Sequence, residues 1–370
     1  MNPRPSLEEL PSQGQKRFRQ KVLSGTIHSS VPSITLMDMQ RIRAVGLLSG
    51  GLDSTLAVKL MLDQGIDVVA LNFRSPFCQC DRRGRCEAAE VAAKFAIPLH
   101  MIVGGDDYLR MLRNPKYGYG SGMNPCIDCR ILMLRKAKSY ARKIGAKFLF
   151  TGEVLGERPM SQHRKALEII EKESGLEGKI LRPLSAKLLP PTESELKGWV
   201  NREKLLSIKG RSRRPQMALA KNLGIYDYPC PAGGCLLTDK EFAARLRDLF
   251  SYRRRVRLHD VALLKIGRHF RVGENKIIVG RNEAENKTLL SFDDGKLTYL
   301  EVPNCGSPVT VLQGRPTKKT LIIAAKLTAR YSDAEGDKVL VNHRRGPASG
   351  TLSVKKMSQE ETSALRISKT

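Results

Sequence analysis

VGLLSGGLDS, residues 45–54, followed by TLAVKLMLDQG, residues 55–65, decides how the rest of the chain is read. The first four residues form a short apolar strand, Ser49 to Ser54 a loop, and the segment behind it a helix with apolar residues at helical spacing. Gly50 and Gly51 let the backbone approach a ligand where a Cβ would collide. The helix points its unpaired N–H groups and positive dipole end into the same space. An oxyanion belongs there. Ser49 and Ser54 add neutral donors, and the carboxylate of Asp53 beside a phosphate implies a bridging Mg²⁺. The loop is not a Walker motif, since no Gly-Lys-Ser/Thr tripeptide occurs in the chain.

The spacing SGGxDS resembles the pyrophosphate (PP) loop of the ATP pyrophosphatase family. Members of that family use ATP to adenylate a carbonyl oxygen and then displace AMP with a nucleophile. The resemblance implies ATP held by Ser49, Gly50, Gly51, Asp53 and Ser54.

Length and charge bound the rest. A chain of 370 residues accommodates two domains with tails, and a net charge of +27 with a pI near 10.0 calls for a polyanionic partner, RNA or DNA. An aromatic content of 5% argues against a surface that works mainly by stacking bases. No apolar run approaches membrane-spanning length and the N-terminus lacks a signal-peptide core, so a cytoplasmic protein is expected. Its eight cysteines are then thiols, metal ligands or catalysts before structural disulfides.

Residues 1–38, rich in Pro, Ser, Gln and basic side chains, read as a disordered basic segment. From residue 39 strand and helix alternate: IDVVALNF (66–73), CEAAEVAAKFAI (86–97) and LHMIVGG (99–105) give a mostly parallel sheet covered on both faces. Ligands in such sheets bind at the carboxyl ends of the strands. Asn72 and Phe73 are therefore candidates for the adenosine part of a nucleotide. Cys78, Cys80 and Cys86 read equally as zinc ligands or reduced thiols.

In NPCIDCRIL, Pro125 opens a helix, and Cys126 and Cys129 lie three apart on one face of its first turn. The helix dipole and Arg130 should lower the thiol pKa values there. The fourth strand, KFLFTGE, runs into VLGERPMSQ. The pattern TGE-x-LG-x-x-x-SQ is similar to the second nucleotide-site motif of the tRNA 4-thiouridine synthetase branch of the same family. That match implies Thr151, Gly152 and Glu153 at the ATP, with Gly156, Ser161 and Gln162 on the substrate side.

Farther on, Lys197, Arg202, Lys204, Lys209, Arg211, Arg213 and Arg214 read as a phosphate-tracking surface for RNA. In YPCPAGGCLLTD, Cys235 is the favoured third partner of the Cys126/Cys129 pair and Cys230 the alternative, because the adjacent glycines leave clearance for an inorganic group. His163 reads as a satisfied surface side chain and Cys305 as an incidental thiol. Beyond residue 250 short strands and turns form a small α+β module over residues 251–345, able to meet RNA, with a flexible tail over 346–370.

The expected fold is thus α/β, a parallel-sheet, adenine-nucleotide alpha-hydrolase-like PP-loop domain over residues 39–250 followed by that module. The expected activity is ATP-dependent thiolation of a tRNA uridine. Asp53 positions Mg²⁺, and the adenylated carbon takes sulfur. The three-cysteine pattern resembles that of cluster-dependent tRNA thiolation enzymes, which implies Cys126, Cys129 and Cys235 on three irons of a 4Fe–4S cluster, with sulfide as donor. A persulfide on Cys126 or Cys235, supplied by a carrier protein, is the second route. A PP-loop nitrogen ligase with structural zinc and a non-catalytic RNA-binding protein are the rival classes.

Overall fold

A computed structural model of the chain describes residues 41–79, 86–226, 228 and 234–367. The expected N-terminal segment, Cys80 and Cys230 lie outside the described residues.

The first half alternates strand and helix: β1 (Arg43–Leu47), α1 (Leu52–Leu62), β2 (Asp67–Arg74), α2 (Glu87–Lys94), β3 (Leu99–Val103), α3 (Asp106–Arg113), α4 (Cys126–Lys143), β4 (Phe148–Thr151), α5 (Arg164–Ser174) and β5 (Ile180–Leu181). The five strands pair in parallel in the order β3-β2-β1-β4-β5. Near-continuous apolar runs such as VVAL in β2 are what a strand buried on both faces requires. On one face Ala57, Val58 and Met61 of α1 and Ala88 and Val91 of α2 pack with Ala44, Val68 and Phe150. On the other, Ile131, Leu134 and Ala137 of α4 and Ile170 of α5 cover Val45, Val69 and Leu149.

The strand order reverses direction between β1 and β4, so the crevice at their carboxyl ends is the place where a parallel sheet receives a ligand. The loop after β1 and the Thr151–Gly152 segment that closes β4 both open into it.

Two shorter helices follow, α6 (Glu193–Leu196) and α7 (Arg214–Asn222), the latter packed on α1 through Leu52, Leu56 and Ala220. Then α8 (Lys240–Tyr252) and α9 (Leu258–Leu263) lead to β6 (Arg268–Val272), β7 (Asn275–Val279), α10 (Glu283–Leu290), β8 (Thr298–Glu301), β9 (Thr310–Gln313), α11 (Lys318–Arg330), β10 (Lys338–Arg345), β11 (Ala348–Lys355) and α12 (Gln359–Leu365). These six strands pair antiparallel in the order β11-β10-β8-β9-β7-β6. Side chains alternate along each strand, so β7 sends Ile277 and Val279 toward α11 and Ile278 toward α9 and α10.

Residues 346–370 were expected to be flexible, and here the structure differs. β11 pairs with β10 along its whole length, and the Ser358 side chain caps α12, so residues 348–365 complete the module. Its junction with the first half combines apolar packing, Phe242 and Leu246 of α8 against Tyr108 and Leu112 and Leu263 of α9 against Ile278, with polar ties. Asp248 of α8 is bridged by Arg271 and Lys276 from β6 and β7, and Gln313 donates to Asp260 of α9 at 3.2 Å.

Candidate nucleotide and thiol site

The loop after β1 is closed by its own serines. Ser54 Oγ donates to the Gly51 carbonyl at 2.9 Å, accepts from Ser49 N–H at 3.3 Å, and lies 3.1 Å from Ser49 Oγ, while Gly51 N–H donates back to Ser49 Oγ. Gly50 sits at φ +86°, and a Cβ there would meet the backbone of Glu87 at 2.6 Å. Only glycine fits. With no side-chain cap on α1, the N–H groups of its first turn are left for a ligand. Across the crevice, a Cβ on Gly152 would fall 2.5 Å from Ser54 N, so the end of β4 lies directly against that first turn.

Asp53, in that turn, faces four side chains from other elements. Arg213, at the start of α7, reaches Asp53 Oδ2 at 3.5 Å and Glu157 Oε1 at 2.7 Å. Gln216, wholly buried one turn along α7, stands beside the same carboxylate, and the charge of Arg158 also reaches it. Burial and the negative charge of Glu157 push the Asp53 pKa up against the pull of Arg213 and Gln216.

Thr151 and Glu153 have partners inside the protein. The Thr151 hydroxyl donates to Glu153 Oε2 at 3.1 Å, and Glu153 is buried between Arg182 at 3.1 Å and Arg130 at 3.2 Å. Burial alone would raise the Glu153 pKa, but the two guanidiniums together hold it below the ordinary 4.5. Asn72 is likewise occupied: its amide donates to the Leu48 carbonyl at 2.7 Å and ties β2 to the root of the loop. Phe73 stays half-buried at the edge of this region, 6.1 Å from the Tyr108 ring.

A second group gathers beside the first. The segment around Cys235 is drawn in by three backbone contacts. Leu236 N–H donates to the Phe77 carbonyl at 3.0 Å, Met123 N–H donates to the Leu237 carbonyl at 2.8 Å, and Cys235 bridges to Cys78. Leu237 is fully buried and anchors the turn. Cys235 thereby comes within electrostatic reach of both Cys126 and Cys129 at the start of α4. The Tyr108 hydroxyl donates to Cys129 Sγ at 3.6 Å, and Asn124 Nδ2 donates to Cys126 Sγ at 3.2 Å.

The expected low thiol pKa fails at Cys129, where the opposite holds. Burial raises Cys129, and burial pushes Cys235 up to about 11, because desolvating a thiolate outweighs the helix end and the nearby cations. Arg130, expected to serve the thiols, is paired with Glu153. Among the described residues no three His, Cys, Asp or Glu side chains stand close enough to hold one ion, so the thiols would have to draw inward to share a group. Cys78 is disulfide-bonded and Cys86 is a free thiol preceding α2.

The basic run divides. Arg202 pairs with Glu195 and donates to the Ala186 and Leu189 carbonyls, Arg213 belongs to Asp53 and Glu157, and the exposed Lys197 pairs with Glu193 and lies over Trp199. Lys204, Lys209, Arg211 and Arg214 are exposed without an ion pair among the described residues. Ser161 and Gln162 are buried, Gln162 accepting from Arg158 N–H at 3.1 Å, and Gly156 takes φ +80°. His163 Nδ1 caps α5 by accepting from Ala166 N–H, and Cys305 is exposed. The sequence reading missed Glu157, Arg158, Arg182 and Gln216. Only the position of Glu157 and Arg158 inside the TGE-to-SQ stretch offered a signal.

Residues 39–187 match the family model described as "Thiamine biosynthesis protein (ThiI)", and residues 267–366 match the "NFACT protein RNA binding domain". Curated relatives include the tRNA-specific 2-thiouridylase MnmA of Bradyrhizobium diazoefficiens, 31% identical over 142 residues, which cover 35% of this chain and 36% of the relative. The MnmA of Pediococcus pentosaceus is 28% identical over 219 residues, 56% of this chain and 55% of the relative. The chain thus spans about a third to a half of the length of these relatives. A solved 4-thiouridine synthetase–RNA complex with bound ATP aligns at 21% identity and TM-score 0.34, over 60% of this chain and 52% of that one. At that score the likeness carries no residue correspondence.

Proposed function

On the premise that its first half is a PP-loop domain of the tRNA-thiolating family, we propose that this chain uses ATP to replace a uridine carbonyl oxygen of tRNA with sulfur. The observation that carries the reading is the union, in one chain, of a ThiI-type PP-loop domain with an RNA-binding-type module, with the phosphate loop at the switch point of the sheet.

ATP enters the crevice between the carboxyl ends of β1 and β4. The N–H groups of the first turn of α1 and the hydroxyls of Ser49 and Ser54 hold its phosphates and stabilise the charge that develops as pyrophosphate leaves. Gly152 keeps the β4 side of the crevice open for the nucleotide, and Glu153, clamped by Arg130 and Arg182, fixes that wall. Asp53 and its neighbours suit Mg²⁺, which supplies Lewis-acid charge at the phosphates.

Sulfur then adds to the adenylated carbon on the side of Cys126, Cys129 and Cys235, and the C–O bond breaks as AMP leaves with the former uridine oxygen. Soft donors without a carboxylate among them suit a 4Fe–4S cluster held by three thiolates, which supplies an iron for sulfide. The exposed Lys204, Lys209, Arg211 and Arg214 and the C-terminal module meet the tRNA backbone.

The test is AMP and pyrophosphate release by the full chain with and without unmodified tRNA. tRNA-dependent release, lost in Asp53→Asn, supports the reading, and release indifferent to tRNA contradicts it. Iron and acid-labile sulfide measured on the anaerobically purified chain decide the route. About four irons per chain, lost in Cys126→Ala, Cys129→Ala and Cys235→Ala, mark the cluster. An iron-free chain that still thiolates marks the persulfide.

A further inference from the structure

We propose that Asp53, Glu157 and Gln216 together form a divalent-cation site of hard oxygen donors beneath the phosphate loop, with Arg213 as its bracket. The sequence pointed to Mg²⁺ at Asp53 alone. The proposal adds two ligands from other elements and rests on the phosphate-loop reading above.

The two carboxylates are held in matching fashion. Arg213 takes Asp53 Oδ2 at 3.5 Å and Glu157 Oε1 at 2.7 Å, and the second oxygen of each, Asp53 Oδ1 and Glu157 Oε2, is buried with no hydrogen-bond partner. Gln216, with no exposed surface, stands beside Asp53, and neither its Oε1 nor its Nε2 makes a hydrogen bond of normal geometry. Three buried oxygens from α1, the loop after β4 and α7 are therefore left unsatisfied in one place.

Buried polar atoms without partners cost about 1–3 kcal/mol each, more when charged, so a cluster of them in a functional crevice calls for a ligand. One guanidinium within contact distance balances only one of the two carboxylates. Arg158, the other cation that acts on Asp53, is exposed to solvent. Hard oxygens with residual negative charge select Mg²⁺ or Mn²⁺ over softer metals, and Mg²⁺ is commonly held by one or two carboxylates with substrate phosphates completing its shell. The phosphate loop lies on the same turn as Asp53, so that shell is completed from the ATP side.

The experiment uses the full chain without nucleotide or tRNA and follows Mn²⁺ binding by electron paramagnetic resonance, with Mg²⁺ competition. One competable Mn²⁺ per chain is expected, its affinity falling about tenfold or more in Glu157→Gln and in Gln216→Leu. Circular dichroism confirms that each variant is folded, and Gln216→Leu removes the unpaired amide at similar volume. Absence of a competable ion, or one indifferent to both substitutions, overturns the site. A chain that thiolates tRNA without binding Mn²⁺ there overturns the cation site alone. One that binds Mn²⁺ as expected yet releases no pyrophosphate overturns the functional reading alone.

Discussion

Glu153 shows how a single side chain ties the crevice to the rest of the fold. Its carboxylate is 2% exposed and is met by Arg182, 3% exposed, which also pairs with Glu171 of α5. Removing one member of such a group strands the others in a medium that cannot solvate them. Arg182→Met is therefore expected to cost about 3–5 kcal/mol in urea unfolding, and adding Glu153→Gln should recover part of it. If Arg182→Met unfolds within about 0.5 kcal/mol of the parent, the clamp is not structural. At this scale the sequence was legible where chemistry and local order coincide, as in Ser49, Gly50, Gly51 and Ser54. It was illegible where a side chain answers to a distant partner. Arg213 stood in a run of cations and read as RNA-binding, but its partners Asp53 and Glu157 lie far away in the chain. The Cys129 thiol pKa was misjudged for a related reason, since its burial depends on the packing of Leu237 and Tyr108 and not on the helix end alone.

Elements were read more securely than residues. The first four parallel strands fall where apolar runs placed them, and α4 starts after Pro125 as its capping chemistry requires. The C-terminal sheet was read as a small α+β module, but its last hairpin was lost. Neither β11, ASGTLSVK, nor α12 carries a strong apolar signal, and both are ordered by partners: β10 for the strand, β6 and Lys326 for the helix. The same module contains a built-in pH response. His269 of β6 is wholly buried, its Nε2–H donating to the Ile266 carbonyl at 2.8 Å, and burial with the charges of Lys276 and Arg245 drives its pKa well below the ordinary 6.5. The folded chain then keeps the ring neutral while the unfolded chain takes up a proton below pH 6.5. Stability must fall as pH drops from there, by up to about 1.4 kcal/mol per pH unit. Chemical unfolding at pH 7.5, 6.5, 5.5 and 5.0 should show that slope in the parent and its loss in His269→Gln, which retains a donor. Equal slopes would show that another group dominates.

The whole molecule pairs a nucleotide-type sheet with a basic module, and its charge of +27 sets how the two would meet RNA. If tRNA is gripped through phosphates, the logarithm of affinity falls linearly with the logarithm of salt concentration, and each lost contact lowers the slope by about one. Replacing Lys209 and Arg211 by Ala should therefore reduce the slope by about two. Arg213→Ala, next to the exposed Arg214 in sequence but paired with Asp53 and Glu157, should leave the slope nearly unchanged while lowering pyrophosphate release. A slope that responds to Arg213 and ignores Lys209 and Arg211 would place the RNA elsewhere. The central claim is chemical, and nucleoside mass spectrometry of tRNA incubated anaerobically with the full chain, ATP, Mg²⁺ and sulfide tests it most directly. The account predicts a thiolated uridine that appears only with ATP and disappears in Asp53→Ala. Unmodified tRNA recovered from a folded, metal-loaded chain that still binds ATP would contradict it.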